Sequence, residues 1–272
     1  LSYFPSHCDE APPRLPCTDP VDRRDDALLD LVPDSPRRAY DMYKVIRTVV
    51  DHGVIFDLKP RWARNLITCL ARIDGRSVGI VANNPMHTGG VLDLDAADKG
   101  AHFIQVCDAF NIPLVFLQDT PGFMVGSKME HAGIIRHGAK MLHAMSAATV
   151  PKLTVVVRKA YGAGYFVMCG RAYEPDLLVA WPGAEISVMG AEGMVGIAAR
   201  KLFGDAEPPA EMKRTLVDTI QSYIDIYRVG GWGLIDDIID PRDTRRVLAL
   251  GLELSAHKVL ERPRKKRGIL PV

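Results

Sequence analysis

Arg158-Lys-Ala-Tyr-Gly-Ala-Gly-Tyr-Phe-Val-Met-Cys-Gly170 follows the apolar, strand-like run Leu153 to Val157 and leads into a helix-like segment. Gly162, Ala163 and Gly164 carry almost no side chain, so a ligand can come within hydrogen-bonding distance of main-chain N–H groups. At a helix start those groups have no intrahelical partner. The turn is a candidate oxyanion hole. The competing reading is a tight turn with close helix-to-strand packing.

A second strand exit precedes it. Ile112-Pro-Leu-Val-Phe-Leu-Gln-Asp119 runs into Thr120-Pro-Gly-Phe123, with Gly126 three residues further on. Pro121 presets a turn and Gly122 supplies positive φ. Asp119 reads either as a carboxylate capping local N–H groups or as a functional group. Two corners therefore compete for one role.

Working outward, strand-like runs at Ala63 to Ile73, Ser77 to Ala82, Ile112 to Gln118, Lys152 to Val157, Leu177 to Trp181 and Leu234 to Ile239 alternate with helical patterns. The helices are predicted at Leu94 to Phe110, Glu130 to Ala147 and Ala163 to Cys169. This alternation is α/β layering with buried parallel strands and a repeated unit. Ala39, Met42, Val45, Ile46, Val49 and Val50 recur at helical spacing ahead of Gly53, where that helix stops. Downstream, Pro208 and Pro209 open a helix through Tyr227, Gly230-Gly231 break it, and a last helix runs from Thr244 to Leu260. The stripe Met212, Leu216, Thr219, Ile220, Tyr223, Ile224 and Tyr227 is wide enough to bury against a neighbour, either the domain's own sheet or a partner.

Residues 1 to 36 are proline-rich, with Asp and Arg clusters and no sustained period. They read as a linker or arm from an upstream domain, with the globular domain at 37–272, so the chain is expected to be the downstream part of a longer polypeptide. At 272 residues and 47% hydrophobic, the chain is long enough to bury one large core. A net charge of +1 makes no global case for nucleic-acid or membrane binding. No run reaches the ~18 apolar residues that span a bilayer and no leader pattern opens the chain, so a soluble, cytoplasmic protein is expected.

Several site classes are excluded. Cys8, Cys17, Cys69, Cys107 and Cys169 are odd in number and never form CxxC, so neither a disulfide framework nor a zinc ribbon follows. Cys169 reads as a small buried residue or, without a supporting His, as a nucleophile. His131, His137 and His143 are six residues apart, each turned about 240° from the last on a helix. They do not converge as metal ligands. Val167 breaks G-x-G-x-x-G, and no P-loop, G-x-S-x-G or H-E-x-x-H is present. The tail Arg262-Pro-Arg-Lys-Lys-Arg-Gly268 is basic, a solvated run or a contact for a phosphate-bearing substrate or acidic partner.

Asp119-Thr-Pro-Gly-Phe123 with Gly126 and Glu130, Gly133-Ile-Ile-Arg-His-Gly-Ala-Lys140, Ala148-Thr-Val-Pro-Lys-Leu-Thr154, Arg158-Lys-Ala-Tyr-Gly-Ala-Gly164, Ala180-Trp-Pro-Gly-Ala-Glu-Ile-Ser-Val-Met-Gly190 and Lys266-Arg-Gly-Ile-Leu-Pro271 together resemble the carboxyltransferase β subunit of biotin-dependent acyl-CoA carboxylases. The resemblance covers nearly the whole chain, from Leu1-Ser-Tyr-Phe-Pro-Ser6 onward. It implies a ClpP/crotonase-like α/β fold with repeated ββα-type units and trailing helices, of which this chain is the second of two domains.

The activity so implied is transfer of carboxyl from carboxybiotin, borne on a separate carrier protein, to the α-carbon of a short-chain acyl-CoA. Such a reaction needs preorganised N–H donors for the thioester enolate and for the biotin urea oxygen. By motif, Ala163 and Gly164 correspond to the backbone donors on the biotin side. Phe123 and Gly126 correspond to the loop lining the biotin cleft, and Gly162, Tyr165 and Phe166 to the biotin and substrate surroundings. Phe166 stands where acyl-chain choice is associated, and either shortens that pocket or fills a core position. Met168-Cys-Gly-Arg-Ala-Tyr173 is similar to the methylcrotonyl-type branch, whereas Arg158-Lys159 and Ala180-Trp-Pro182 lean to the propionyl type. Implied partners are the biotin carrier and biotin carboxylase subunit, acyl-CoA, the upstream carboxyltransferase half and further copies of the chain. A hexamer is implied for the intact assembly, and the segment alone, compatible with a dimer, is expected to be inactive. No metal, nucleic acid or membrane is implied. A decarboxylase subunit of the same fold and a non-catalytic scaffold domain stay open as alternatives.

Overall fold

Helical spacing after Ala39 becomes helix in the computed structural model, which describes residues 1–203, 209–260 and 271. A short α1 (Ala27–Leu31) precedes α2 (Met42–Val49), whose N-terminus is capped by the Asp41 carboxylate and whose Met42, Val45, Ile46 and Val49 are buried. Then come β1 (Ile55–Asp57), β2 (Leu66–Ile73) and β3 (Arg76–Asn83), followed by α3 (Leu94–Ala109), capped by Asp93. β4 (Leu114–Thr120) leads to α4 (Ser127–Ala132) and α5 (Ile134–Ala147), and β5 (Lys152–Tyr161) to α6 (Gly162–Val167). The chain continues through β6 (Leu177–Ala180), β7 (Glu185–Ser187), α7 (Ala191–Phe203), α8 (Ala210–Ile224), α9 (Ile226–Gly231), β8 (Asp237–Ile238) and α10 (Thr244–Leu254).

Several boundaries differ from the sequence expectation, each for a local reason. The helix expected over 130–147 divides at Gly133, which is left-handed at φ +89°. The strand expected from Ala63 begins at Leu66, because Ala63 turns left-handed at φ +45°. The helix expected through Tyr227 breaks at extended Asp225, whose carboxylate caps α9. The last helix ends at Leu254 rather than Leu260. The strands β1 and β7 and the helix α7 were not foreseen. Pro208 and the basic tail 262–268 lie outside the described residues.

The strands order as β1-β2-β3-β4-β5-β6-β8, with β7 pairing β5 beyond the point where β6 leaves it. β1, β2 and β3 are antiparallel neighbours, and from β3 onward every pair is parallel. The repeated unit takes its full ββα form in β2-β3-α3 and continues as β4-α5 and β5-α6. Alternation along each strand sends side chains to two layers. Ile67, Cys69, Ile73, Val115, Leu117 and Val155 pack with α2 and α10, while Leu66, Leu70, Leu114 and Phe116 pack with α3 and α5. Each fully buried large side chain contributes on the order of 1.5–3 kcal/mol. Because parallel strands end together, the exits of β3, β4 and β5 lie along one edge, joined there by the start of antiparallel β2.

Residues 1–36 lie against this body. The Leu15 N–H donates to the Gly75 carbonyl at 3.0 Å. Arg245 of α10 is 2% exposed; it donates to the Pro20, Asp19 and Val49 carbonyls and pairs with Asp51 at 2.7 Å. Asp19 sits in the same cluster, held by Arg23 at 2.8 Å. Burial alone would raise the Asp19 carboxyl, but the Arg23 hydrogen bond, the His52 N–H and the Arg245 charge bring it down to about 2 from an ordinary 3.8. A depressed carboxyl stabilises the fold fully above its unfolded value, and that contribution is lost as pH falls through the folded value. Asp19→Asn is therefore expected to cost ~1–2 kcal/mol near neutral pH. Its urea midpoint should also change less than the wild type's between pH 4 and pH 2; an unchanged acid limb would remove the assignment.

Candidate functional site

The two strand exits that compete in the sequence are one site in the structure. At the end of β4, the Thr120 hydroxyl accepts the Gly122 N–H at 3.1 Å, closing the turn that Pro121 begins. Leu92 then pins the corner from both sides. Its N–H donates to the Gly122 carbonyl at 2.9 Å and its carbonyl accepts the Met124 N–H at 2.8 Å. The Phe123 ring lies on Gly138 of α5, where an added Cβ would sit 3.2 Å from it. Gly126, exposed at φ +124°, ends the loop as the N-cap of α4.

At the end of β5, Tyr161 stays extended and Gly162 turns left-handed at φ +54° to start α6. Ala163 and Gly164 are the second and third residues of that helix, so their N–H groups have no acceptor in a preceding turn. Gly164 faces the other corner so closely that a Cβ would lie 2.9 Å from both Gly122 Cα and Thr120 Cγ2. A side chain at 164 would push the corners apart.

An irregularity in the β4–β5 ladder sets this meeting. Gln118 pairs with Val156 but Thr120 with Ala160, so β5 carries two extra residues between the paired positions. These are accommodated with Arg158 and Lys159 over Asp119. The Asp119 carboxylate, fully buried, accepts from Arg158 Nε at 3.0 Å and lies 3.0 Å from Nη2. Its other oxygen accepts the Lys159 N–H at 3.3 Å and lies 3.7 Å from Lys159 Nζ. Arg158 Nη1 also donates to the Ser35 and Arg38 carbonyls, and the guanidinium sits 4.9 Å from the centre of the Tyr40 ring. Asp119 is thus a structural tie beneath the two corners.

Between the corners and α5 opens an apolar groove of about 390 Å³. Phe123, Ile135, Leu142, Ala163, Phe166 and Tyr173 are among its walls. Phe166 is 41% exposed and edge-on to Tyr173, a wall rather than a core filler. Tyr165 points the other way: it is buried and its hydroxyl accepts the Arg171 N–H at 2.9 Å. Glu130 is the one carboxylate on the groove wall among the described residues, and no imidazole joins it.

The remaining candidates fall elsewhere. Cys169 is buried beneath α6, where burial pushes its thiol up to about 11, so it is un-ionised at neutral pH. The three histidines do not converge; His137 Nδ1 lies 2.8 Å from the Asp98 carboxylate and His131 is exposed. No cluster of metal-ligating side chains occurs among the described residues. No described helix is long and apolar enough to cross a membrane. Sequence reasoning missed Leu92 and the Tyr40–Arg158 pair, because a backbone pin and a contact across more than a hundred residues leave no local pattern. It also missed β7, whose Glu185 accepts from the Tyr161 hydroxyl and braces the residue just before Gly162.

A layered sheet whose adjacent strand exits present backbone donors above an apolar groove is a crotonase-like domain. The carboxyl transferase domain family matches residues 1–270, and the chain belongs to that family. It is 49% identical over 245 residues to the methylmalonyl-CoA carboxyltransferase 12S subunit of Propionibacterium freudenreichii subsp. shermanii, covering 90% of this chain and 47% of that one. It is 43% identical over 273 residues to the methylmalonyl-CoA decarboxylase subunit alpha of Propionigenium modestum, covering 100% of this chain and 53% of the relative. Among solved structures, transcarboxylase 12S, a hexamer with methylmalonyl-coenzyme A and methylmalonic acid bound, superposes with a TM-score of 0.93 at 46% identity. That superposition covers 100% of this chain and 52% of the 12S chain. The chain therefore spans about half the length of these relatives.

Proposed function

We propose that this chain supplies the biotin-side half of an acyl-CoA carboxyltransferase, in which carboxyl moves from carboxybiotin on a separate carrier protein to the α-carbon of a short-chain acyl-CoA. The observation that carries this reading is the α6 terminus, where Ala163 lies on the wall of an apolar groove with Gly164 buried directly behind it against Gly122, and where no paired acid and base stand. Chemistry there rests on fixed backbone dipoles, which cost no reorganisation as charge develops.

The groove suits a biotin ring by its own chemistry: apolar walls for the thioether face, and unpaired N–H donors for the urea oxygen. Carboxybiotin, when bound, supplies the carboxyl group. Ala163 and Gly164 would donate to the urea oxygen and hold its growing negative charge. Phe123 and Phe166 would flank the ring and exclude water, and Gly162 aims the amides through its left-handed turn. The thioester side would come from the other half of the relatives' length. Of the two readings of the stripe, the domain's own sheet or a partner, the exposure of Met212, Tyr223 and Tyr227 on α8 and α9 supports the partner surface.

Names of relatives include both carboxyltransferase and decarboxylase subunits, and the same donors serve carboxyl movement in either direction. The test is product formation by the complete carboxylase from acetyl-, propionyl-, butyryl- and methylcrotonyl-CoA, with the 272-residue chain alongside. Product from the complete enzyme and none from the chain alone is expected. Absence of product with every thioester, together with CO2 release from a carboxylated acyl-CoA, would move the decarboxylase reading ahead.

A further inference from the structure

The β1–β2 connection carries the basic stretch Lys59-Pro-Arg-Trp-Ala-Arg64. Lys59, Arg61 and Arg64 are exposed, and none pairs with a carboxylate among the described residues. Trp62 is exposed between them, with Lys59 Nζ 5.0 Å from its ring centre. Burial and then the Arg64 charge lower the His87 imidazole on the neighbouring loop, where Met86 is also exposed.

Three cations without counter-charges would repel one another and splay a free loop. This one is held in shape. Lys59 and Ala63 are both left-handed without being glycine, at φ +55° and φ +45°. From beneath, Lys99 of α3, only 2% exposed, donates to the Trp62, Ala63 and Leu66 carbonyls at 2.9, 3.3 and 2.7 Å. Burial pulls Lys99 down to about 8, which still leaves it charged at neutral pH. A buried ammonium spent on loop carbonyls fixes the display of an outer row of cations.

The loop also lies on the functional edge. Leu66 pairs with Asn83 at the end of β3. The Asn65 side chain donates to the Val91 carbonyl at 2.7 Å, next to Leu92, which pins the Gly122–Phe123 corner. Through the Val91–Leu92 peptide these bonds connect the residue after the basic loop to the corner that carries Phe123. Its composition, exposed Arg, Trp and Met on a rigid backbone, is that of a protein-binding surface. A small anion would be held by an enclosed cluster of donors instead.

We propose that residues 59–64 dock an acidic face of the carrier protein that brings biotin to the groove. This rests on the carboxyltransferase reading above. Preorganisation lowers the ordering cost of docking, and exposed charges set encounter rate and salt sensitivity.

The test compares the complete carboxylase with its Arg61→Glu/Arg64→Glu variant, using a biotinylated carrier domain and free biotin as alternative substrates. Both residues are exposed, so the variant is expected to keep the wild-type fold, checked by an unchanged thermal midpoint. KM for the carrier domain is expected to rise about tenfold or more, with kcat and the KM values for free biotin and acyl-CoA unchanged. Added salt should raise the wild type's carrier KM and leave the variant's nearly flat. An unchanged carrier KM overturns the proposal, and so does a selective rise in the KM for acyl-CoA, which would assign the loop to the nucleotide phosphates. If the wild-type enzyme turns over neither form of biotin, the function reading itself fails. Direct binding of the carrier domain to wild type and variant, measured by fluorescence anisotropy, then decides the docking alone.

Discussion

Replacing Ala163 with proline in the complete enzyme is expected to lower kcat by about 10²–10³-fold, the usual loss when one oxyanion donor is removed. Proline deletes a single N–H, and in the first turn of a helix its ring is accommodated because no intrahelical bond is lost there. Thermal stability should therefore move little, while Ala163→Ser, which keeps the N–H, should retain turnover within a few-fold. A proline variant with full activity would remove the backbone-donor mechanism. Gly164→Val, the substitution a glycine-rich turn first suggests, is a poorer probe. Its side chain would meet Gly122 and Thr120 at about 2.9 Å, so lost activity would report separated corners as readily as a lost donor.

Asp119→Asn is expected to destabilise the domain by about 3–5 kcal/mol, because it leaves Arg158 buried without its counter-charge. Arg158 is 5% exposed and its partners come from three separate stretches: β4, the 35–38 segment and the Tyr40 ring. Loosening this tie should lower the guanidinium midpoint and release the segment ahead of α2 to proteolysis. Asp119→Asn/Arg158→Met should recover part of the loss, since removing both charges avoids the unpaired one. A single variant as stable as wild type would show the pair to be dispensable.

Much of the layering was legible because its signals are local. Buried parallel strands are continuous apolar runs, and α2, α3 and α5 follow from apolar spacing and from capping or breaking residues such as Asp41, Asp93 and Gly133. Boundaries slipped where a non-glycine residue, Ala63, adopts a left-handed turn under the grip of Lys99. β7 was missed because three residues are too few to show alternation, and its pairing depends on where β5 outlasts β6.

The site divided in the same way. Gly162, Ala163 and Gly164 were readable as a donor-bearing helix start, since small residues after a strand leave few other conformations. Phe123 and Gly126 were readable as a second corner. Sequence alone left open whether Asp119 was chemistry or structure, whether Phe166 was wall or filler, and whether the corners were rivals. The two extra residues of β5 drop Arg158 onto Asp119 and bring Gly164 against Gly122, so the corners meet above an ion pair, and Phe166 stands 41% exposed on the groove. The chain by itself determined its strands, helices and donor-bearing turns, because those follow from the conformational preferences of neighbouring residues. Which turns face one groove, and which charges neutralise each other beneath it, was decided only by register between strands, a property no single stretch contains.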